Sequence, residues 1–303
     1  MKTLTRLLIG TAALATVSQG FAVPVASLPV GSHYPIGAEG LKGGSLPPPG
    51  VYLRDYNFFY NATTVPGLPL TANISAYVQA PRLIWMTPLE IFGANYGLDV
   101  IVPFAEKDVR VGPFRGDNFN VGDIQIEPLL LSWHLKQFDL SAGYAVWAPS
   151  GNFDFSPVNP VKALASPGNG YWSHMLTLGG VWYPDEKKTW AFSVLNRYEI
   201  CQEQDQSHVT PGNTYSIEWS LSKAVTPTVD VGLVGYYQQQ VTKDSSSIYY
   251  ASRDLARVAG VGPEISAFCS KLGVVTSLRY VYETDAKARP QGQTVTLTVT
   301  KRF

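Results

Sequence analysis

The sequence has little charge, few cysteines and no second long apolar run. Asp, Glu, Lys and Arg together make up 15% of the 303 residues, against roughly 25% in soluble domains. After Ala22 no stretch of 18 apolar residues occurs, which excludes a transmembrane helix from the rest of the chain. Aromatic residues nevertheless make up 12% of the sequence. This balance indicates that something other than water covers part of the surface.

The first 22 residues have the pattern of a secretory signal peptide. Lys2 and Arg6 precede an apolar run over residues 7–17, and small residues follow at Gly20 and Ala22. We expect cleavage after Ala22; a retained membrane anchor is the alternative, although the run is short for a span. Without its two basic residues the chain has 21 basic and 23 acidic side chains. That near-neutral balance argues against a nucleic-acid partner.

The remainder is dominated by alternating apolar and polar residues. In NTYSIEWSLSKAV, residues 213–225, apolar and polar side chains alternate with a period of two, as they do in the last residues, 293–303. This period is typical of strands with one apolar face. Twelve such segments occur, near 51–61, 82–88, 94–105, 122–134, 138–148, 172–183, 189–201, 213–223, 228–240, 262–270, 272–283 and 293–303.

The lengths of the segments and of their connections predict an all-β fold, a closed antiparallel transmembrane β-barrel of about 12 strands. Eleven residues at about 3.3 Å each, tilted by about 45°, cover roughly 25 Å, the height of the apolar band of an outer-membrane barrel. Long connections, such as 62–81 and 106–121, alternate with short turns. Short periplasmic turns and longer outer loops are typical of these barrels. A soluble periplasmic β-protein is the main alternative.

The same topology bears on the only two cysteines. Cys201 would end an outgoing strand and Cys269 an ingoing one, which separates them by the height of the barrel. A disulfide requires Cα atoms within about 7 Å. We therefore expect two unpaired thiols.

One motif carries a family resemblance. The stretch HYPIGAEGLKGGSLPPPG, residues 33–50, followed by the aromatic strand VYLRDYNFFYN, resembles the start of the outer-membrane proteins of the meta pathway of phenol degradation. The resemblance extends over the mature chain to Phe303, which looks like a barrel-assembly signal of Gram-negative bacteria. It implies uptake of aromatic or other hydrophobic compounds, and it supplies no catalytic residues.

Residues 23–50 form a separate segment before the barrel, which occupies 51–303. Six prolines and six glycines make a regular strand there unfavourable. We expect the segment to enter the barrel mouth as a constriction; a plain periplasmic linker is the alternative. His33 would act there either as a proton switch or as a hydrogen-bonded turn residue. The candidate residues of this segment are His33, Tyr34, Pro35, Glu39, Pro47, Pro48 and Pro49.

The polar rows of the strands predict a lumen with charges of both signs. Such a mixture does not favour selection of anions or cations, which a ring of one charge would give. Most of these charges would pair with each other and stiffen the lumen, and two or three would touch a solute. The candidates are Asp99, Gln125, Glu127, Arg197, Glu199, Glu218, Asp230, Arg279, Glu283 and Arg302.

Aromatic residues near the outer strand ends are candidates for a receptor patch, although each alone is more often a membrane-interface anchor. They are Phe58, Phe59, Tyr60, Phe114, Phe119, Trp147, Phe153, Phe155, Tyr171, Trp172, Tyr249 and Tyr250.

The sequence favours a channel over an enzyme. It has no Gly-x-Ser-x-Gly, no His/Cys cluster with metal-ligand spacing and no phosphate loop, so we expect no metal and no cofactor. Ser173 and His174 are adjacent and point to opposite faces of a strand, which excludes them as a dyad. The other histidines are His33, His134 and His208.

We therefore predict passive passage of small hydrophobic or aromatic compounds through the outer membrane of a Gram-negative bacterium. The predicted partners are outer-membrane lipid, the barrel-assembly machinery through Phe303, and the solute itself. A structural or surface-binding barrel without transport is the first alternative, and an outer-membrane hydrolase is the second.

Overall fold

The computed structural model describes residues 29–247 and 251–303. The predicted signal peptide, residues 1–22, lies outside the described residues, as do the beginning of the N-terminal segment and the aromatic candidates Tyr249 and Tyr250. Among the described residues, no helix is long and apolar enough to cross a membrane.

The described residues form sixteen strands and one short helix. In chain order they are β1 Gly50–Thr64, β2 Ala72–Ile91, β3 Ala94–Ile101, β4 Phe104–Val111, β5 Phe114–Val121, β6 Ile124–His134, β7 Phe138–Ala148, α1 Val161–Ala165, β8 Ser173–Trp182, β9 Trp190–Cys201, β10 Val209–Thr210, β11 Thr214–Thr226, β12 Val229–Gln240, β13 Ser245–Ser246, β14 Arg257–Cys269, β15 Val274–Lys287 and β16 Gln291–Arg302.

Twelve of the described strands close into an antiparallel barrel, which confirms the predicted fold. These are all the strands except β4, β5, β10 and β13. Closure occurs at β1, which pairs with β2 on one side and β16 on the other, so that Tyr56 lies opposite both Ala80 and Thr298. In lipid an open edge would leave backbone N–H and C=O groups unsatisfied, and closure removes that cost.

Two connections predicted as long loops are largely strand. The stretch 62–81 contains the start of β2, and 106–121 contains most of the hairpin β4–β5, which continues the sheet beyond β3 and β6. The loop prediction there was wrong because this hairpin carries charge where a lipid-facing strand would be apolar. Glu106 and Arg110 are exposed on β4, while Val109 between them is buried. The hairpin therefore rises beyond the apolar band of the barrel.

The apolar rows of the strands face outward, as the alternation predicts. On β8, Leu176 and Leu178 are 51% and 64% exposed, whereas Met175 and Thr177, the residues that precede each of them, are 1% and 9% exposed. A surface that exposes leucine on alternate positions is stable against lipid rather than water.

The two ends of the barrel differ. At the end that carries the long connections, here called the long-loop end, α1 packs against the inner face of the wall, where Val161 contacts the apolar cluster of Ile74 and Val109. At the other end, the short-turn end, the strands meet in turns of two to seven residues. Cys201 ends β9 at the long-loop end and Cys269 ends β14 at the short-turn end. Both thiols are free, as predicted.

Candidate functional site

The described part of the N-terminal segment runs inside the barrel and bonds to the inward side chains of many strands. The backbone N–H of Gly44 donates to Ser193 Oγ of β9 at 2.8 Å, and that of Leu41 donates to Glu264 of β14 at 3.0 Å. Ser45 Oγ donates to Asp139 of β7 at 2.9 Å. Contacts with strands so far apart in the sheet place the segment across the lumen.

Glycine is required at two points where the segment approaches the wall. Gly40 has a φ of +74°, and a Cβ there would lie 1.9 Å from a guanidinium nitrogen of Arg279. At Gly44 a Cβ would lie 2.5 Å from the carbonyl oxygen of Gly180, which belongs to the barrel backbone. The glycine content that set this segment apart in the sequence thus permits close approach of two backbones.

Glu39 lies at the centre of the segment and is surrounded by three arginines of the wall. Its carboxylate is 2.8 Å from Arg54 Nη1, 2.9 Å from Arg82 Nη1 and 3.3 Å from Arg197 Nη2. The hydroxyl of Tyr56 also donates to it at 3.2 Å. A buried carboxylate is stable only when it is paired in this way, so the cluster fixes the middle of the segment to the barrel.

The arginines around Glu39 bring several predicted lumen residues together. Arg82 also donates to Asp99, through Nε at 2.9 Å, and to Glu127 at 3.2 Å. Arg197 donates to the hydroxyl of Tyr34 at 2.7 Å, and that hydroxyl donates in turn to Glu218.

Arg54 and Arg82 were not among the residues predicted from the sequence. The inward neighbours Ala80 and Ile84 are apolar, and so are the outward neighbours Leu83 and Trp85. Alternation therefore gave no sign of which face of β2 carries Arg82.

His33 lies between two carboxylates and anchors the part of the segment nearest the long-loop end. Its Nδ1 is 2.8 Å from Glu199 and its Nε2 is 3.1 Å from Asp123, and its ring stacks on Trp147 with centroids 5.4 Å apart. Burial alone would lower the pKa of His33, but the hydrogen bonds to Asp123 and Glu199 outweigh it and hold the pKa above its ordinary value. The imidazole ring bridges two carboxylates of the barrel, of which Asp123 was not predicted.

The other predicted residues are spread along the lumen. Asp230 pairs with Lys42 of the segment at 2.9 Å. Arg279 donates to Glu264 at 3.0 Å and to the carbonyl of Ala38 at 2.9 Å.

Glu283 and two of the prolines bond to strand residues near the two ends of the barrel. Glu283 accepts from Tyr60 at 3.0 Å. The carbonyl of Pro48 accepts from Tyr52 at 2.8 Å and that of Pro49 from Arg302 at 3.0 Å. Pro47 lines a narrow space beside the segment.

Between the segment and the wall lies a cavity of about 260 Å³, on the long-loop side of Glu39. Pro35 and Ala38 of the segment border it. The apolar wall residues around it are Phe58, Val78, Ala80, Ile101, Ala105 and Trp147.

The same cavity is also lined by polar groups, one of which is Lys107 of β4. The Nζ of Lys107 donates to the carbonyl of Ser166 at 2.6 Å. Burial lowers the pKa of Lys107 to about 8, although Asp123 opposes this. Sequence reasoning missed this lysine because it placed residue 107 in an outer loop. The aromatic candidates Phe58 and Trp147 do lie at the cavity.

No group of three or more His, Cys, Asp and Glu side chains able to hold a metal ion occurs within residues 29–247 and 251–303.

The fold of this chain is similar to that of a solved outer membrane channel. An outer membrane channel from Pseudomonas putida F1 superimposes with a TM-score of 0.74 at 15% identity, over 87% of this chain and 98% of that one. The translocator domain of the autotransporter NalP from Neisseria meningitidis matches with a TM-score of 0.49 at 10% identity, over 84% and 89% of the two chains. The TodX monoaromatic hydrocarbon channel, in a deltaS2 mutant, matches with a TM-score of 0.43 at 10% identity, over 86% and 92%.

None of the curated proteins compared with this chain matches it. A family model does match, over residues 59–299, which is most of the barrel. The predicted family is therefore confirmed: the chain belongs to the family described as "Putative MetA-pathway of phenol degradation".

Proposed function

We propose that this protein is an outer-membrane channel through which small hydrophobic or aromatic compounds pass without energy input, with the N-terminal segment as a constriction in its lumen. The observation that carries the proposal is the largely apolar cavity between the segment and the wall. A lumen that served only ions and sugars would need no such surface, since polar solutes gain nothing from apolar walls. Membership in a family associated with phenol degradation supports the same solute class.

The contacts of the segment favour a fixed constriction over a loose linker. Its charged groups pair with the wall at His33, Glu39 and Lys42, and its glycines fit against barrel backbone. The pairs that His33 and Glu39 form are buried, so they are costly to break.

Uptake by proteoliposomes tests the proposal. The refolded mature protein is expected to admit labelled toluene and phenol, and Ala80→Trp, which fills the cavity from the wall, is expected to reduce that uptake. Leu83→Trp is the matched control, because Leu83 lies on the same strand and faces outward. If the wild-type barrel admits neither compound, a structural or surface-binding role replaces transport.

One observation favours a second candidate, the hydrolase. Ser173 Oγ lies 3.0 Å from His33 Nδ1, and His33 Nε2 lies 3.1 Å from Asp123, which is an order of groups found in serine hydrolases. Sequence reasoning missed this pair because His33 belongs to the segment and not to a strand.

Two features weigh against catalysis by these groups. Ser173 is fully buried and does not border the cavity, and its hydroxyl donates to Glu199 at 2.7 Å. The nitrogen of His33 that lies nearest to Ser173, Nδ1, is also held by Glu199 at 2.8 Å, which makes it a poor acceptor for the serine proton. The channel proposal predicts that Ser173→Ala leaves any esterase activity of the purified protein unchanged. Loss of a measurable activity in that variant would establish the second candidate.

A further inference from the structure

The carboxylates at the cavity are already occupied by partners within the protein. Glu39 accepts from its three arginines and Glu127 accepts from Arg82. Asp123 accepts from His33 and from two backbone N–H groups at 2.9 and 2.6 Å. These acceptors have little capacity left for a bound solute.

Hydrogen-bond donors at the same cavity remain unused. Within the described part of the chain, two cavity-lining side chains have a buried polar atom without a partner, Trp147 at Nε1 and Arg197 at Nε. Both atoms are N–H donors. Lys107 has three N–H groups and a single hydrogen bond among the described residues, to Ser166. An unpaired buried donor costs free energy, and a ligand acceptor would remove that cost.

Two of these donors lie at one end of the cavity. Trp147 stacks on His33, which bonds to Asp123. A Cβ at Gly168 would lie 2.9 Å from Asp123 Oδ1, and Lys107 bonds to the carbonyl of Ser166, two residues before Gly168. His33 and two backbone N–H groups already bond to Asp123, and among the described residues Asp123 forms neither a hydrogen bond nor an ion pair with Lys107. Lys107 is also still charged at pH 7, below its pKa of about 8.

The size and walls of the cavity restrict the rest of the ligand. A cavity of roughly 150 Å³ is enough for benzene, so about 260 Å³ accommodates one ring with a small substituent. Phe58, Val78 and Ile101 supply the apolar contact for such a ring.

We propose that this cavity binds a monocyclic aromatic anion, a carboxylate or a phenolate, with its ring against Phe58 and Val78 and its anionic oxygen on Lys107 and Trp147. This inference rests on the proposed function and names the solute class of the same site. It distinguishes oxygenated one-ring compounds, which offer an acceptor, from hydrocarbons and from aromatic amines.

Calorimetric titration of the full mature protein in detergent at pH 7 tests the inference with benzoate, toluene and benzylamine as probes. Benzoate is expected to bind at least about tenfold more tightly than benzylamine, the scale of one hydrogen bond to a charged group. Lys107→Met should weaken benzoate binding by about tenfold or more and leave toluene binding unchanged. Trp147→Phe should weaken benzoate binding less, because it removes a neutral donor.

Lys136→Met is the matched control, since Lys136 is exposed far from the cavity and pairs with Glu186. The inference is overturned if benzylamine binds as tightly as benzoate, or if Lys107→Met leaves benzoate binding unchanged. Binding in detergent does not depend on transport, so the two proposals fail separately. Benzoate binding without solute uptake by proteoliposomes would refute the channel alone, and uptake without a preference for benzoate would refute the ligand class alone.

Discussion

Replacing Glu39 by Gln tests the attachment of the N-terminal segment at its strongest point. The change preserves the size of the side chain and removes the charge that lies within 3.3 Å of three guanidinium groups. Breaking a buried ion pair by removing one partner costs about 3–5 kcal/mol. At about 1.4 kcal/mol for each factor of ten, the equilibrium between attached and detached segment shifts by roughly two to three and a half powers of ten.

The contacts that the three arginines keep in Glu39→Gln determine whether the segment or the barrel wall is destabilised. Arg82 retains Asp99 and Arg197 retains Glu218. Arg54 loses its ion pair and keeps a hydrogen bond to Thr300, so most of the barrel wall stays paired while the segment loses its central anchor. We expect higher single-channel conductance in planar bilayers. The temperature at which the folded band disappears from unheated gels should fall only modestly.

The control for this prediction is Glu106→Gln, on the exposed face of β4, which should change neither quantity. Wild-type conductance and wild-type stability in Glu39→Gln would refute the reasoning, because they would show that the cluster does not hold the segment.

Three further predictions follow from single positions. Gly44→Ala should destabilise the attached segment by about 1–3 kcal/mol, because the added Cβ would contact the barrel backbone. Gly31→Ala is the control, since a Cβ there has no neighbour within 4 Å. Thermal unfolding of the two variants compares their stabilities. The two carboxylate partners of His33 raise its pKa in the folded protein. His33 therefore stabilises the folded state fully below the ordinary histidine pKa of about 6.5, and this stabilisation is lost as pH rises through the higher pKa of the folded state. Unfolding measured over a series of pH values should show this loss in the wild type and not in His33→Gln. A maleimide should label the exposed Cys269 of the folded protein and label the buried Cys201 only after unfolding, and equal labelling of both would contradict the barrel topology.

The alternation of apolar and polar residues identified the strands, because all strands that cross lipid meet the same physical requirement. Wherever a strand crosses the apolar band, its outward row must be apolar, and β7 was predicted with the bounds that it has in the structure, Phe138–Ala148. Beyond the band the rule no longer applies. The hairpin β4–β5 therefore resembled a loop in sequence, since Glu106, Asp108 and Arg110 take the outward positions there.

The sequence predicted which residues belong to the candidate site, but not which of them contact each other. Composition singled out the segment with His33 and Glu39, and the polar rows singled out Arg197 and Glu199. Which of them meet depends on the path of the segment across the lumen, and no local pattern encodes that path. Lys107 was not predicted, because its strand, β4, was not recognised in the sequence.

The roles of these residues in passage, the use of the segment as a constriction and the assembly signal at Phe303 stay predictions. Phe303 lies at the short-turn end, where its backbone N–H donates to the carbonyl of Val51 at 2.9 Å.

The N-terminal segment is proposed to set the width of the lumen. The most direct test is the single-channel conductance of the mature barrel with and without residues 23–45, after gel mobility has shown that both forms are folded. We expect a several-fold rise in conductance when the segment is removed, because the wall residues that now bond to it would face water. Equal conductance of the two folded forms would show that the segment does not narrow the lumen.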